Sequence, residues 1–233
     1  MLSALGWGAL AASSVLIGAV LGCVRTWPKR PLGLLLGFGA GALLSAISFE
    51  LFAEGFKEGG ADAVCAGLAA GGPGYFALKR RRVGRTGDRG GGRPAPARGA
   101  FPQGVPEQLA LGLGLATGSG VSVGLLVAVF VSNLPESIGS ASEARESGTE
   151  RGPILRLWAG VAIVSTLATV LGYVLLDGAS GNVLGTIQGF AAGALIVMLV
   201  DTMIPDATRR AGGPTGLLTT LGFAVAALIS FTT

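Results

Sequence analysis

The chain has 233 residues, of which half are hydrophobic and only 13% are charged, whereas soluble domains carry about 25% charged residues. Histidine is absent and glycine occurs 41 times. The sequence contains neither a serine–histidine–aspartate set nor a phosphate-binding loop, so we do not expect an enzyme. Small residues at this density suit closely packed membrane helices. The composition therefore predicts an all-α membrane protein.

Seven windows are long and apolar enough to cross a membrane, which takes about 20 residues. An eighth window, 101–117, is weaker, because its apolar part begins only near Val105 and follows a stretch rich in proline and glycine. The segment 79–100 is predicted to be a flexible basic loop within a single domain that covers residues 1–233. The seven stronger windows are 2–24, 32–54, 61–78, 121–141, 154–176, 183–205 and 213–233.

The basic residues fix the orientation that we predict. Sixteen of the 17 fall in four segments, 25–31, 79–100, 142–156 and 206–212, and only Lys57 falls outside them. All four lie on one side if the chain crosses eight times, so the positive-inside rule places them in the cytoplasm and the N-terminus outside. Without a crossing at 101–117 this agreement would be lost. We therefore predict an integral, multi-pass protein of the cell membrane.

The basic segment 79–98 has a second interpretation, as a patch that binds nucleic acid or anionic lipid. A topology signal on the cytoplasmic face explains the same charges together with those of the other loops. We therefore expect the lipid bilayer, and no nucleic acid, among the partners.

Two internal repeats are present. Residues 37–43 match 189–195 at six of seven positions, an offset of 152 residues. Val105-Pro106-Glu107 resembles Leu134-Pro135-Glu136. In each pair the two helices run in opposite directions in the predicted topology. Inverted repeats of this kind are the usual construction of secondary transporters.

The Pro-Glu pairs carry the candidate chemistry. An ionisable group at mid-membrane costs on the order of 3 kcal/mol on insertion scales, so Glu107 and Glu136 are functional candidates. Pro106 and Pro135 each leave a main-chain carbonyl without its helical partner. Two such helices facing each other would form an oxygen-rich cage that suits a cation. The alternative is that the prolines serve packing and the glutamates cap freed N–H groups. Neutral side chains that could add oxygen ligands are Gln103, Gln108, Ser132 and Asn133.

Acidic residues also lie in other apolar windows: Glu50 lies in the window 32–54, and Asp201 lies in the window 183–205. Gly33, Gly37 and Gly41 form two GxxxG steps, and Gly189 with Gly193 forms another. Such steps let helix backbones approach closely. We expect these surfaces either to pack the scaffold or to form a homodimer.

Taken together, these motifs resemble the ZIP family of zinc and divalent metal transporters over nearly the whole chain. They comprise Ser132-Asn133-Leu134-Pro135-Glu136, residues 189–194, Asp201 and Ile204-Pro205-Asp206, and the long loop after the third window. The resemblance implies eight helices in a 3+2+3 arrangement, and metal ligands that include Glu107, Asn133 and Glu136, with Gln103, Ser132 and Asp201 as further candidates. It also implies that the helices bearing the two Pro-Glu pairs slide against the second and seventh spans.

The expected function is secondary transport of a divalent cation, Zn²⁺ or similar, toward the cytoplasm. The metal would be the transported substrate, and no permanently bound cofactor is expected. The sequence departs from the family pattern where histidine is usual: Gln103 and Ser132 stand there, and Gly104 replaces an asparagine. The sixth span lacks the acid that is common in the family, and Thr169 stands near that place. The alternative is therefore a transport-inactive, ZIP-like membrane protein with a structural or regulatory role.

Overall fold

A computed structural model describes residues 1–87, 100–116, 122–176 and 178–232, with the side chains of 82–87, 100–103, 105 and 106 outside the described part. Within these ranges the chain is almost entirely helical and contains no strand, so the all-α prediction is confirmed. The α-helices are α1 Leu2–Val24, α2 Lys29–Ala46, α3 Ala53–Gly87, α4 Ala100–Ala116, α5 Val123–Glu146, α6 Arg151–Leu176, α7 Gly181–Met198, α8 Ile204–Ala211 and α9 Thr215–Thr232. Two π-helical segments, Ile47–Phe52 and Leu199–Met203, continue α2 and α7.

Six of the described helical runs are long and apolar enough to cross a membrane, as in a multi-pass membrane protein. One of them, Lys29–Arg81, contains Gly60 at φ 76°, a backbone conformation that side chains rarely allow. Gly60 thus separates the predicted windows 32–54 and 61–78. The six runs are Leu2–Val24, Lys29–Arg81, Val123–Glu146, Arg151–Leu176, Gly181–Ala211 and Thr215–Thr232.

The structure agrees less well with the predictions for two segments, the weak window 101–117 and the basic loop 79–100. α4 forms, but it has 17 residues and is not among the six long apolar runs. At 1.5 Å per residue these 17 described residues cover about 26 Å. α3 extends through residues 79–87, where the sequence predicted the start of a loop. Lysine and arginine are good helix formers, and five of these nine residues are basic. Residues 88–99 of the predicted loop lie outside the described residues.

The helix pairs follow a reciprocal pattern. α2 packs on α9 and α3 packs on α7; α1 packs on α5 and α4 packs on α6; and α1 and α6 pack on each other. The largest apolar core includes residues of α2, α5 and α7, and a second core fills the space among α1, α5 and α6. α5 is thereby held between α1 and α2.

Glycine contacts repeat the same pattern at the level of single residues. A Cβ on Gly222 of α9 would collide with the carbonyl oxygen of Phe38 in α2, and a Cβ on Gly71 of α3 would collide with that of Phe190 in α7. Phe38 and Phe190 are 152 residues apart, the offset of the first sequence repeat. Gly41 and Gly189 likewise abut α9 and α3. The predicted small-residue surfaces are therefore used for packing within the chain.

The two π-helical segments occupy corresponding positions. They begin at Ile47 and Leu199, again 152 residues apart. π-Helical turns are rare and often mark functional sites. Each segment here contains one acidic residue, Glu50 in the first and Asp201 in the second.

Basic residues gather at one end of the helices. The backbone N–H of Trp27, between α1 and α2, donates to Ser142 Oγ near the end of α5 (3.4 Å). Arg210, in the last turn of α8, contacts Glu143 of α5 at 2.6 Å. α7 begins at the other end of the molecule with Gly181, which abuts the backbone of Glu58. Three of the four segments that hold the basic residues thus approach one another at one end of the molecule.

Candidate cation site

The two Pro-Glu helices meet through a buried hydrogen bond. Asn133 Nδ2 of α5 donates to Glu107 Oε2 of α4 at 2.9 Å. Only 1% of Glu107 and 5% of Asn133 are exposed. A carboxylate buried to this extent is costly unless it is hydrogen-bonded or paired with a cation. The structure therefore brings together two of the residues that the sequence nominated as metal ligands.

Glu136 lies one turn beyond Asn133 on α5 and is partly exposed. Helical residues three positions apart lie on the same face. Glu136 is within electrostatic range of Glu107, and also of Asp206 and Arg210 at the end of α8. Glu136 is therefore close both to the buried Glu107 and to the charged residues at the end of α8.

The local backbone of α5 follows from its sequence. The helix runs from Val123 to Glu146 without interruption at Pro135, which has no N–H to offer the carbonyl of Val131. Ser137 Oγ donates to the carbonyls of Asn133 (2.9 Å) and Leu134 (3.0 Å). Serine hydroxyls commonly supply hydrogen bonds to the backbone of membrane helices around proline.

Ser132 is buried beside this site, with 1% of its surface exposed. Its hydroxyl donates to the carbonyl of Val129 at 3.0 Å. The Ser132 proton is thus engaged within α5, and the oxygen keeps lone pairs for a cation. The side chain of Gln103 lies outside the described residues.

Gln108, the neighbour of Glu107, turns to a different helix. Thr169 Oγ1 of α6 lies 2.6 Å from Gln108 Oε1 and 3.0 Å from the Gln108 carbonyl, and both residues are buried. The amide oxygen of Gln108, which the sequence nominated as a neutral ligand, therefore accepts a hydrogen bond from Thr169. This contact joins α4 to α6 at Thr169, near the position where the family resemblance predicts an acidic residue.

Asp201 is not brought to this site. It is exposed, on the second π-helical segment, and its carboxylate lies 3.4 Å from Lys79 Nζ of α3. In the part of the chain that the structure describes, no three or more cysteine, aspartate or glutamate side chains cluster closely enough to hold a metal ion. A cation at Glu107 and Glu136 would consequently need neutral oxygen atoms to complete its coordination.

Sequence reasoning missed a charged cluster next to Glu136. The guanidinium of Arg210 reaches Glu143 Oε1 (2.6 Å) and Asp206 Oδ2 (2.9 Å), and only 11% of the Arg210 side chain is exposed. The sequence treated Arg210 as a loop charge that reports topology. The partial signal was Asp206, four residues earlier on α8, because residues at that spacing are neighbours on a helix.

No protein-family model and no curated protein matches this chain. The resemblance to metal transporters therefore rests on the sequence motifs alone.

Proposed function

We propose that this chain is a secondary transporter that carries a divalent metal cation toward the cytoplasm. The observation that carries the proposal is the buried hydrogen bond between Asn133 and Glu107, which joins the two Pro-Glu helices. The cation is the substrate. Glu107, Asn133 and Glu136 would bind it, and Ser132 and the carbonyls freed by proline would add oxygen ligands.

Eight spans in a 3+2+3 arrangement with inverted repeats form part of this proposal. Its support is the reciprocal packing of α2 on α9 and of α3 on α7. The equivalent contacts of Gly222 with Phe38 and of Gly71 with Phe190 support it further. α4 would be the fourth span. The N-terminus would lie outside a cell membrane, with the basic end of the molecule in the cytoplasm.

The ligand set favours a hard cation. The candidate site offers carboxylate, amide, hydroxyl and carbonyl oxygens, since the chain has no histidine and its two cysteines lie on α1 and α3. Zn²⁺ is held best with nitrogen or sulfur ligands, whereas oxygen sets suit Mn²⁺ and Mg²⁺. We infer a site that binds zinc weakly and discriminates poorly among divalent cations.

The second candidate is a transport-inactive, ZIP-like protein with a structural or regulatory role. The observation that favours it is the absence, among the described residues, of a cluster of three or more acidic or cysteine side chains. In that case the hydrogen bond between Glu107 and Asn133 would only hold α4 against α5.

Cation uptake by proteoliposomes tests the proposal, with Mn²⁺ and Zn²⁺ as separate probes. We expect Glu136→Ala to abolish uptake, because it removes a carboxylate from the site. Glu50→Ala is the matched control, since Glu50 is also a partly exposed glutamate, but lies on the first π-helical segment. It should leave a measurable rate. Uptake that survives Glu136→Ala, or that both variants abolish equally, would contradict the assigned site.

A further inference from the structure

Arg210 has an unusual position for a cationic side chain near a helix end. Its side chain is 11% exposed, and its guanidinium bonds to carboxylates on two helices, Glu143 of α5 and Asp206 of α8. Its Cβ lies where a side chain on Gly33 of α2 would be. Arg210 is therefore packed among α2, α5 and α8.

α5 makes room for the guanidinium at Gly139. A Cβ at Gly139 would lie 3.1 to 3.5 Å from three guanidinium atoms of Arg210. Gly139 follows Glu136 by three residues and precedes Glu143 by four, so the three residues share one face of α5. The guanidinium thus lies across this face between the two glutamates, on the side of Glu136 that leads to the basic end of the molecule.

The ion pair between Arg210 and Glu143 is strong, but water can compete for it. Arginine bonds to carboxylates are charge-assisted and strong, and arginine stays protonated at any physiological pH. Glu143 is nearly half exposed, at 46% of its side chain, while Asp206 is 23% exposed. Water can therefore reach the Glu143 side of the contact and replace it, whereas Asp206 sits on the same short helix as Arg210.

We propose that Arg210 is a tethered cation that closes the cytoplasmic end of the candidate cation site, and that a cation passing between this site and the cytoplasm must displace its guanidinium from Glu143. The proposal rests on the proposed function for the identity of the passing cation. The closure itself rests on the packing of Arg210 over Gly139 and on its two ion pairs.

The neighbouring arginine provides a matched control. Arg209 is on the same helix and also pairs with Asp206, but 75% of its side chain is exposed. Arg209→Gln removes a positive charge from the same helix but leaves the contact between Arg210 and Glu143 of α5 in place. Glu143→Gln is the complementary variant, because it removes the negative charge from the contact with α5 and keeps the bond between Arg210 and Asp206.

The test measures access from the cytoplasmic side to a cysteine introduced by Ser132→Cys, a position that is 1% exposed and one turn before Glu136. The full chain carries Cys65→Ser, and buried Cys23 remains as an internal reporter of unfolding. A small cationic thiol reagent is added to the cytoplasmic face of membrane vesicles. Mass spectrometry then follows the modification of each position.

We expect Arg210→Gln and Glu143→Gln to raise the modification rate at position 132 about tenfold, the effect of a shift of roughly 1.4 kcal/mol toward the open state. Arg209→Gln should leave the rate unchanged. Equal rates in all variants, or an equal rise in Arg209→Gln, would overturn the closure. If Arg210→Gln also exposes Cys23, that variant has unfolded and Glu143→Gln decides by the same comparison. Cation uptake is measured separately on the chain without substitutions. If this chain shows no uptake but the modification rate at position 132 rises as expected, the proposed function is refuted and the closure still stands.

Discussion

Replacing Asn133 with leucine removes the amide that donates to Glu107 Oε2 at 2.9 Å and keeps a side chain of similar size. The neighbouring pair on α4 gives a matched control. Thr169→Val removes a buried hydrogen bond to Gln108 at 2.6 Å but takes nothing from the candidate site. The two variants should therefore lose similar stability and differ in cation binding.

The expected magnitudes follow from the two contacts. Hydrogen bonds between membrane helices average about 0.6 kcal/mol and reach about 1.7 kcal/mol, so each variant should lose on the order of 1 kcal/mol of unfolding free energy. If Asn133 is also a cation ligand, its loss should weaken binding about tenfold, or about 1.4 kcal/mol. This second loss is specific to Asn133→Leu.

Thermal unfolding of the purified protein, with and without Mn²⁺, separates the two effects. At a cation concentration 100 times the Kd, binding stabilises the folded state by about 2.7 kcal/mol, and a tenfold weaker Kd leaves about 1.4 kcal/mol. Asn133→Leu should thus halve the stabilisation by Mn²⁺, while Thr169→Val should retain it. If Asn133→Leu keeps the full effect, or if Thr169→Val loses as much, Asn133 is a packing residue and not a ligand.

Three further predictions concern topology, packing and metal choice. Single cysteines at Arg89 and Glu150, in a background without native cysteines, should both react from the cytoplasm; reaction from opposite faces would remove the crossing by α4. Gly222→Ala should cost about 1 to 3 kcal/mol of stability through collision with the Phe38 carbonyl. Gly216→Ala, on the same helix with open space around it, should be neutral or slightly stabilising in chemical unfolding. Competition binding should show weak, poorly selective binding of Zn²⁺ that falls further as pH decreases, because protons compete for carboxylate ligands; tight, pH-independent, zinc-selective binding would contradict the oxygen ligand set.

Much of the helix pattern could be predicted because it depends on local apolar length. The first window coincides with α1, Leu2–Val24, and the window at 154–176 ends with α6 at Leu176. Charged residues limit these windows in the sequence, but a helix can continue past the apolar part. α5 accordingly extends to Glu146, five residues beyond the predicted end at 141.

The features that could not be predicted depend on contacts between distant residues. The ion pair of Arg210 with Glu143 joins positions 67 residues apart, and a single sequence gives no signal for that pairing. The π-helical segments also escaped prediction, because a wider helical turn has no distinct pattern of residue types. By contrast, the Pro-Glu repeat did indicate that α4 and α5 carry related groups, and the hydrogen bond between Glu107 and Asn133 brings those helices together.

Close backbone contacts at glycine join helices in two sets, one of α2, α3, α7, α8 and α9 and one of α1, α4, α5 and α6. The second set also contains the buried hydrogen bond between Gln108 and Thr169. Glu107, Asn133 and Glu136 all belong to the second group, so a movement of that group as a unit would carry the candidate site without rearranging its ligands. Arg210 belongs to the first group and pairs with Glu143 of the second. Breaking this pair is therefore a step that such a movement would require, which is why the closure by Arg210 and the transport proposal can be tested separately on the same chain.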